Sequence, residues 1–184
     1  MELSINFSNF PILESERLLL REVTPDDVKE VFQLRSDKEI MKYIPRVPAQ
    51  TLEDALEHIQ ILSETKEKEE GISWGICQKG EDKIMGIIGL YRINKPNFRA
   101  EVGYILDPKF HGKGFVSEAI QLVIDFGFNT CKFHTLTAII DPRNSASEKV
   151  LQRANFQKEA HFKEDFYFNG EFLDSVHYSI INKK

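Results

Sequence analysis

The stretch from Ala100 to Ile124, AEVGYILDPKFHGKGFVSEAIQLVI, restricts the fold of this chain more than any other. Val102, Tyr104 and Leu106 alternate with Glu101, Gly103 and Ile105, the period of two of a strand. Asp107-Pro108 then ends the ladder, because proline brings no amide proton to a neighbouring strand. From Phe115 onward, Val116, Ala119, Ile120, Val123 and Ile124 recur at helical spacing. Gly112, Lys113 and Gly114 lie between the two. The first amides of a helix have no intrahelical partner, and the helix dipole adds partial positive charge there. Glycines leave that end bare, so the pattern suggests a seat for a diphosphate. A plain strand-to-helix turn explains the same residues. A dinucleotide fold is disfavoured, since the spacing is not G-x-G-x-x-G and no repeated βαβ pattern surrounds it.

The rest of the chain supplies the sheet around this unit. Arg17-Leu18-Leu19-Leu20-Arg21 suits a first strand. Thr24-Pro25-Asp26-Asp27 writes a helix start, with Val28, Val31 and Phe32 as the expected buried stripe. The segment from Ser36-Asp37 to Pro48 reads as irregular, broken by Pro45 and Pro48. Thr51 caps a second helix whose Leu52, Ala55, Leu56, Ile59 and Leu62 form one face. Strands are expected over 71–78, 84–91 and 135–140, and a helix over 144–154. Asn169-Gly170 is a strong hairpin signal, with the returning strand expected over 173–181. The order is strand, two helices, three strands, helix, strand, helix, hairpin. That is an α/β (α+β) fold: a mostly antiparallel mixed sheet of about seven strands, about four helices, and one parallel crossover through the central helix.

At 184 residues the chain is long enough for one domain, expected over 1–184, and short for two. Its cysteines, Cys77 and Cys131, form no secreted framework and no zinc spacing. The start, Met1-Glu2-Leu3-Ser4-Ile5, lacks the basic and apolar regions of a signal peptide, and no apolar run reaches membrane-span length. A cytoplasmic location is the expectation, with no membrane partner. A net charge of −5 with scattered basic residues argues against nucleic acid. His58, His134, His161 and His177 share no metal or triad spacing, so no metal is expected and each reads as structural or exposed.

The run Lys109-Phe110-His111-Gly112-Lys113-Gly114 resembles the Q/R-x-x-G-x-G/A acetyl-CoA loop of the GCN5-related N-acetyltransferases (GNAT), with Lys109 in the first slot. Glu101-Val102-Gly103-Tyr104 before it and Phe115-Val116-Ser117-Glu118-Ala119 after it are similar to the RimJ/RimL-like subgroup, which acetylates protein N-termini and assorted small amines. So is Asn144-Ser145-Ala146-Ser147-Glu148-Lys149-Val150-Leu151, which resembles the subgroup's N-x-x-S-x-x-V-L run. The resemblance covers about 14–181. It implies two central strands that splay apart, with the pantetheine arm of acetyl-CoA adding to the exposed edge at Tyr104, Ile105 and Leu106. It implies a cofactor seat over His111, Gly112, Lys113, Gly114, Phe115, Val116 and Ser117, completed by Asn144 and Lys149. Arg153 is a further cation for the nucleotide phosphates, although solvated helix faces explain these cations too.

For chemistry, the resemblance points to Glu101 as base and to Ser147 beside the leaving thiol. Read alone, Glu101 is a surface strand position, Asn144 a helix cap and Ser147 a first-turn polar residue. Many relatives place a tyrosine where this chain has Leu151, and Ser147 or a water it holds is the expected substitute. Met41, Tyr43, Ile44 and Trp74 are expected at the acceptor pocket by family position, or buried as ordinary apolar residues. The implied activity is direct acetyl transfer to a primary amine, most readily a peptide N-terminal α-amine. Small amines and a catalytically weak CoA-binding sensor are the alternatives. A monomer or homodimer fits each of these.

Overall fold

The computed structural model describes residues 2–183; Met1 and Lys184 lie outside the described residues. Its centre is an eight-stranded sheet in the order β1-β2-β3-β4-β5-β6-β8-β7. The strands are β1 (Leu13–Glu14), β2 (Leu18–Glu22), β3 (Ile72–Gln78), β4 (Ile84–Asn94), β5 (Arg99–Leu106), β6 (Thr135–Ile140), β7 (Gln157–Phe168) and β8 (Glu171–Ile181). Five α-helices accompany them among the described residues: α1 (Val28–Ser36), α2 (Lys38–Met41), α3 (Leu52–Glu67), α4 (Phe115–Asp125) and α5 (Ser145–Arg153). All neighbouring strands are antiparallel except β5 and β6.

The expected counts of about seven strands and four helices each fall one short. The additional strand is the two-residue β1, too short to show any alternation. The additional helix is α2, inside the segment read as irregular. Asp37 starts it by accepting the amides of Glu39 and Ile40 at 2.8 and 3.1 Å, a cap that offsets the nearby prolines. Thr51 caps α3 as expected, taking the Asp54 amide at 3.3 Å while Asp54 takes the Thr51 amide at 3.0 Å. Only Ala55 and Ile59 of its apolar face are fully buried, and Leu52 and Leu56 are exposed. Leu56 stands about 100° round the helix from Ala55, outside the narrow stripe that meets α1. At the hairpin, Asn169 and Gly170 both take positive φ, +50° and +89°, as a two-residue primed turn requires. The returning strand begins at Glu171, two residues before its expected start.

Two cores form, one on each face of the sheet. On one face Trp74, Ile88, Leu90, Val102 and Leu136 pack under Ile120 and Val123 of α4 and Leu151 of α5. On the other, Val31 and Leu34 of α1 and Ala55 and Ile59 of α3 close over Cys77, Ile84 and Ile87. Burying each such aliphatic side chain contributes about 1.5–3 kcal/mol. The central crossover leaves a gap. β5 and β6 pair only through Arg99–Thr135, Ala100–Leu136 and Glu101–Thr137. Beyond Glu101 they diverge, so the β5 edge from Val102 to Leu106 has no strand on that side.

Candidate active site

The loop that follows β5 is held from behind. Asp107 accepts the Lys109 amide at 2.9 Å and the Gln33 side-chain amide of α1 at 2.7 Å. His111 Nε2 lies 3.1 Å from the Leu106 carbonyl. Gly112 and Gly114 adopt φ of +75° and +80°, a conformation that costs other L-residues about 1–2 kcal/mol. The first helical bond of α4 runs from the Glu118 amide to the Gly114 carbonyl at 3.0 Å. The amides of Phe115, Val116 and Ser117 therefore precede the helical ladder, at the positive end of its dipole.

A clasp that sequence reading missed supports this loop. Arg17 Nε donates to Glu118 at 2.8 Å, Arg17 Nη1 to the Lys113 carbonyl at 3.1 Å, and Ser15 Oγ to Glu118 at 2.5 Å. The Arg17 guanidinium also lies 4.8 Å from the centre of the Phe115 ring. Burial acts to raise the Glu118 carboxyl, but the bonds from Ser15 and Arg17 outweigh it and hold the group below its ordinary value. The partners are about a hundred residues apart in sequence, and neither lies in a motif that announces the pairing.

The free edge, the loop and α5 enclose a cleft of about 400 Å³. Tyr104, Ile105 and Leu106 form its strand wall, and His111, Gly112, Gly114, Phe115, Val116 and Ser117 its loop and helix wall. Asn144, Ser147, Lys149 and Arg153 close it from α5, and Tyr43 and Ile44 from the segment after α2. Asn144 Oδ1 accepts the Ser147 amide at 3.0 Å, so the cap function and a place on the cleft wall coexist. The Tyr104 hydroxyl donates to the Ser147 carbonyl at 3.3 Å, joining β5 to α5 across the cleft. Burial pushes that phenol up to about 12.

Four expected site residues stand outside the cleft wall. Lys113 turns back over Phe110, its ammonium 5.4 Å from the ring centre. Met41 is buried. Trp74 is fully buried on the α4 face: its indole donates to the Pro11 carbonyl at 2.7 Å and it packs edge-on against Phe126. A side chain so enclosed cannot line an acceptor pocket, which corrects that expectation. Glu101 lies further along β5 at the point where β6 departs, paired in register with Tyr91 and Thr137 and bonded by Arg92 at 3.0 Å. It shares its sheet face with Gly103 and Ile105, and Ile105 belongs to the cleft wall. Leu151, in the slot where many relatives have tyrosine, is fully buried in the core rather than in the cleft. No metal-binding group of three or more His, Cys, Asp or Glu occurs among the described residues.

A diphosphate-ready helix start beside an unpaired central strand edge is the arrangement that the sequence resemblance implied. The family model for an acetyltransferase (GNAT) domain matches residues 17–157. The chain belongs to the GNAT acetyltransferase family. It is 33% identical over 175 residues to the uncharacterized N-acetyltransferase YoaA of Bacillus subtilis, covering 95% of this chain and 99% of that protein. It is 28% identical over 161 residues to the spermidine N(1)-acetyltransferase of Escherichia coli, covering 85% and 82%. Among solved structures it is similar to the ribosomal-protein-S5-alanine acetyltransferase of Vibrio fischeri, with a TM-score of 0.82 and 27% identity over 94% and 97% of the two chains. No helix among the described residues is long and apolar enough to cross a membrane.

Proposed function

We propose that this acetyltransferase moves the acetyl group of acetyl-CoA directly to a primary amine, with the α-amine of a peptide or protein N-terminus as the acceptor. The observation that carries the reading is the continuous path along β5. The amide-rich helix start opens at its Leu106 end, the unpaired edge follows, and Glu101 stands where β6 leaves. When bound, acetyl-CoA supplies the activated acetyl group. The residues fit it by chemistry: the free amides of 115–117 would hold the diphosphate, Lys149 and Arg153 would add positive charge, and the bare edge at 104–106 would pair with the amide-bearing arm. Backbone amides of that edge orient and polarise a carbonyl oxygen. Glu101 would accept the acceptor's proton, directly or through one water, and the departing CoA thiolate would take a proton from Ser147, or from a water it holds, on the opposite wall.

Acid–base arithmetic supports the α-amine. With a pKa near 7.7–8.0, about one α-amine in seven is neutral at pH 7, whereas a lysine amine is neutral about once in 2,500. A single carboxylate is a weak base and suits the first group. The likeness to the S5-alanine enzyme agrees with this acceptor. The likeness to the spermidine enzyme favours a small amine as the second reading. Thiol release from acetyl-CoA, followed in parallel with peptide N-termini and with small amines, tests both. A tenfold higher kcat/KM for peptides supports the first reading, and the reverse order replaces it with the second.

A further inference from the structure

The helix start that the diphosphate would occupy carries a carboxylate of its own. Glu118 stands in the first turn of α4, one residue past the amides of Phe115, Val116 and Ser117 that precede the helical ladder. It is ionised at pH 7, and a carboxylate so placed is drawn to the same amides and dipole that attract a bound anion. Left loose, it would compete with a diphosphate for that end of the helix and repel it.

The structure holds this carboxylate elsewhere. Ser15 Oγ and the Arg17 amide donate to one oxygen at 2.5 and 3.2 Å, and Arg17 Nε and Nη2 donate to the other at 2.8 and 2.5 Å. None of Ser15, Arg17 and Glu118 lines the cleft. The donors are themselves fixed. The Ser15 amide bonds to the Leu18 carbonyl at 3.0 Å, the Leu18 amide to Ser15 Oγ at 3.1 Å, and the Lys79 amide to the Arg17 carbonyl at 2.9 Å. The turn between β1 and β2 thus delivers a guanidinium that offsets the charge of Glu118 and fixes its direction.

Arg17 acts on the loop backbone as well. Its Nη1 donates to the Lys113 carbonyl at 3.1 Å. The peptide bonds among the described residues are trans, so the Gly114 N–H points opposite to that carbonyl. Lys113 lies outside the cleft wall, whereas Gly114 belongs to it. The bond from Arg17 therefore turns the Gly114 amide toward the cleft, beside those of 115–117. Gly112 and Gly114 have positive φ and no side chain to resist a flip of this unit, so the restraint has to come from outside the loop.

We propose that Arg17 is a positioning residue for the cofactor: it keeps the Glu118 carboxylate off the helix start and turns the Gly114 amide toward the diphosphate. The proposal rests on the cofactor seat assigned above and is independent of which amine accepts the acetyl group.

The test is the affinity for CoA, measured by calorimetry on the cofactor-free protein and its variants, with the thermal transition of each recorded alongside. In Arg17→Gln the Kd should rise about tenfold or more, because the carboxylate is released and the amide loses its restraint. Glu118→Gln alone leaves nothing to repel the diphosphate, and its Kd should stay within about threefold of the wild type. Added to Arg17→Gln, it should recover at least about threefold of the loss. Arg17→Lys keeps the charge but not the planar fork, so it should fall between. It carries the same comparison if the glutamine variant does not fold, although a side chain 47% exposed is no part of either core. A clasp that only braces the fold would lower the thermal transition and leave the Kd of the folded variant unchanged, which would overturn the proposal. So would a double variant no tighter than Arg17→Gln, or a loss in Glu118→Gln as large as that in Arg17→Gln. Failure of the wild-type protein to bind CoA would overturn the seat itself, and the proposal with it.

Discussion

Glu101→Gln is the substitution most informative about mechanism. Glutamine keeps the size of the side chain and its capacity to accept from Arg92, 3.0 Å away, while removing the basicity. The side chain is 22% exposed and outside both cores, so folding and acetyl-CoA binding should survive. A positioned base contributes about 10²–10⁴ in rate, which is about 2.7–5.4 kcal/mol of barrier. The acceptor sets the pH dependence. An α-amine that is about one-seventh neutral at pH 7 is almost wholly neutral at pH 9, so the deficit should shrink by about sevenfold over that interval. Initial thiol-release rates of both proteins across pH 6 to 9, with calorimetric confirmation of cofactor binding, measure this directly. A variant whose profile follows the wild type in height and shape would refute the base assignment. A uniform loss at every pH would mean that Glu101 acts by holding Arg92 in place.

Three further outcomes follow from the geometry. Gly112→Val forces a β-branched residue into positive φ and sets bulk against the bare amides; acetyl-CoA's Kd should rise tenfold or more, about 1.4 kcal/mol, by calorimetry, with the thermal transition retained. His58 is lowered to about 4 from an ordinary 6.5, so the fold favours its neutral form. Its contribution is complete above pH 6.5 and is lost as pH falls toward 4. Urea unfolding at pH 7 and pH 4.5 should therefore show a loss of about 2 kcal/mol that His58→Gln reduces, the size reflecting a ring only partly shielded from solvent. Leu151→Ala, at a fully buried position, should cost about 2–5 kcal/mol in the same assay; a cost below 1 kcal/mol would show that the residue faces the cleft after all.

The shape of the candidate cofactor seat is legible in sequence because it depends on local chemistry. Gly112 and Gly114 leave the backbone bare, Asp107-Pro108 ends the strand, and the apolar period of α4 begins at once. Asn144 and Thr51 were equally readable, since a cap is satisfied within three residues of itself. What remained hidden was whatever required a partner distant in the chain. Nothing near Arg17 points to Glu118, about a hundred residues away. Family position alone points Trp74 toward the pocket. Alternation places it on one face of β3, but only the packing of α4 and Phe126 reveals that this face is sealed. α2 escaped notice because two prolines outweighed a single capping aspartate in a four-residue helix.

Whether the path from the glycine loop along β5 ends in chemistry, and not merely in binding, is open to direct test. The most direct measurement incubates the purified protein with acetyl-CoA and a peptide whose N-terminus is its only amine. Free CoA thiol and the mass of the peptide are then followed together. Thiol is expected to appear above the uncatalysed rate, in step with a peptide heavier by one acetyl group at its α-nitrogen, and Glu101→Gln is expected to suppress both at pH 7. Saturable acetyl-CoA binding without thiol release, for this peptide and for every small amine tried, would contradict this expectation.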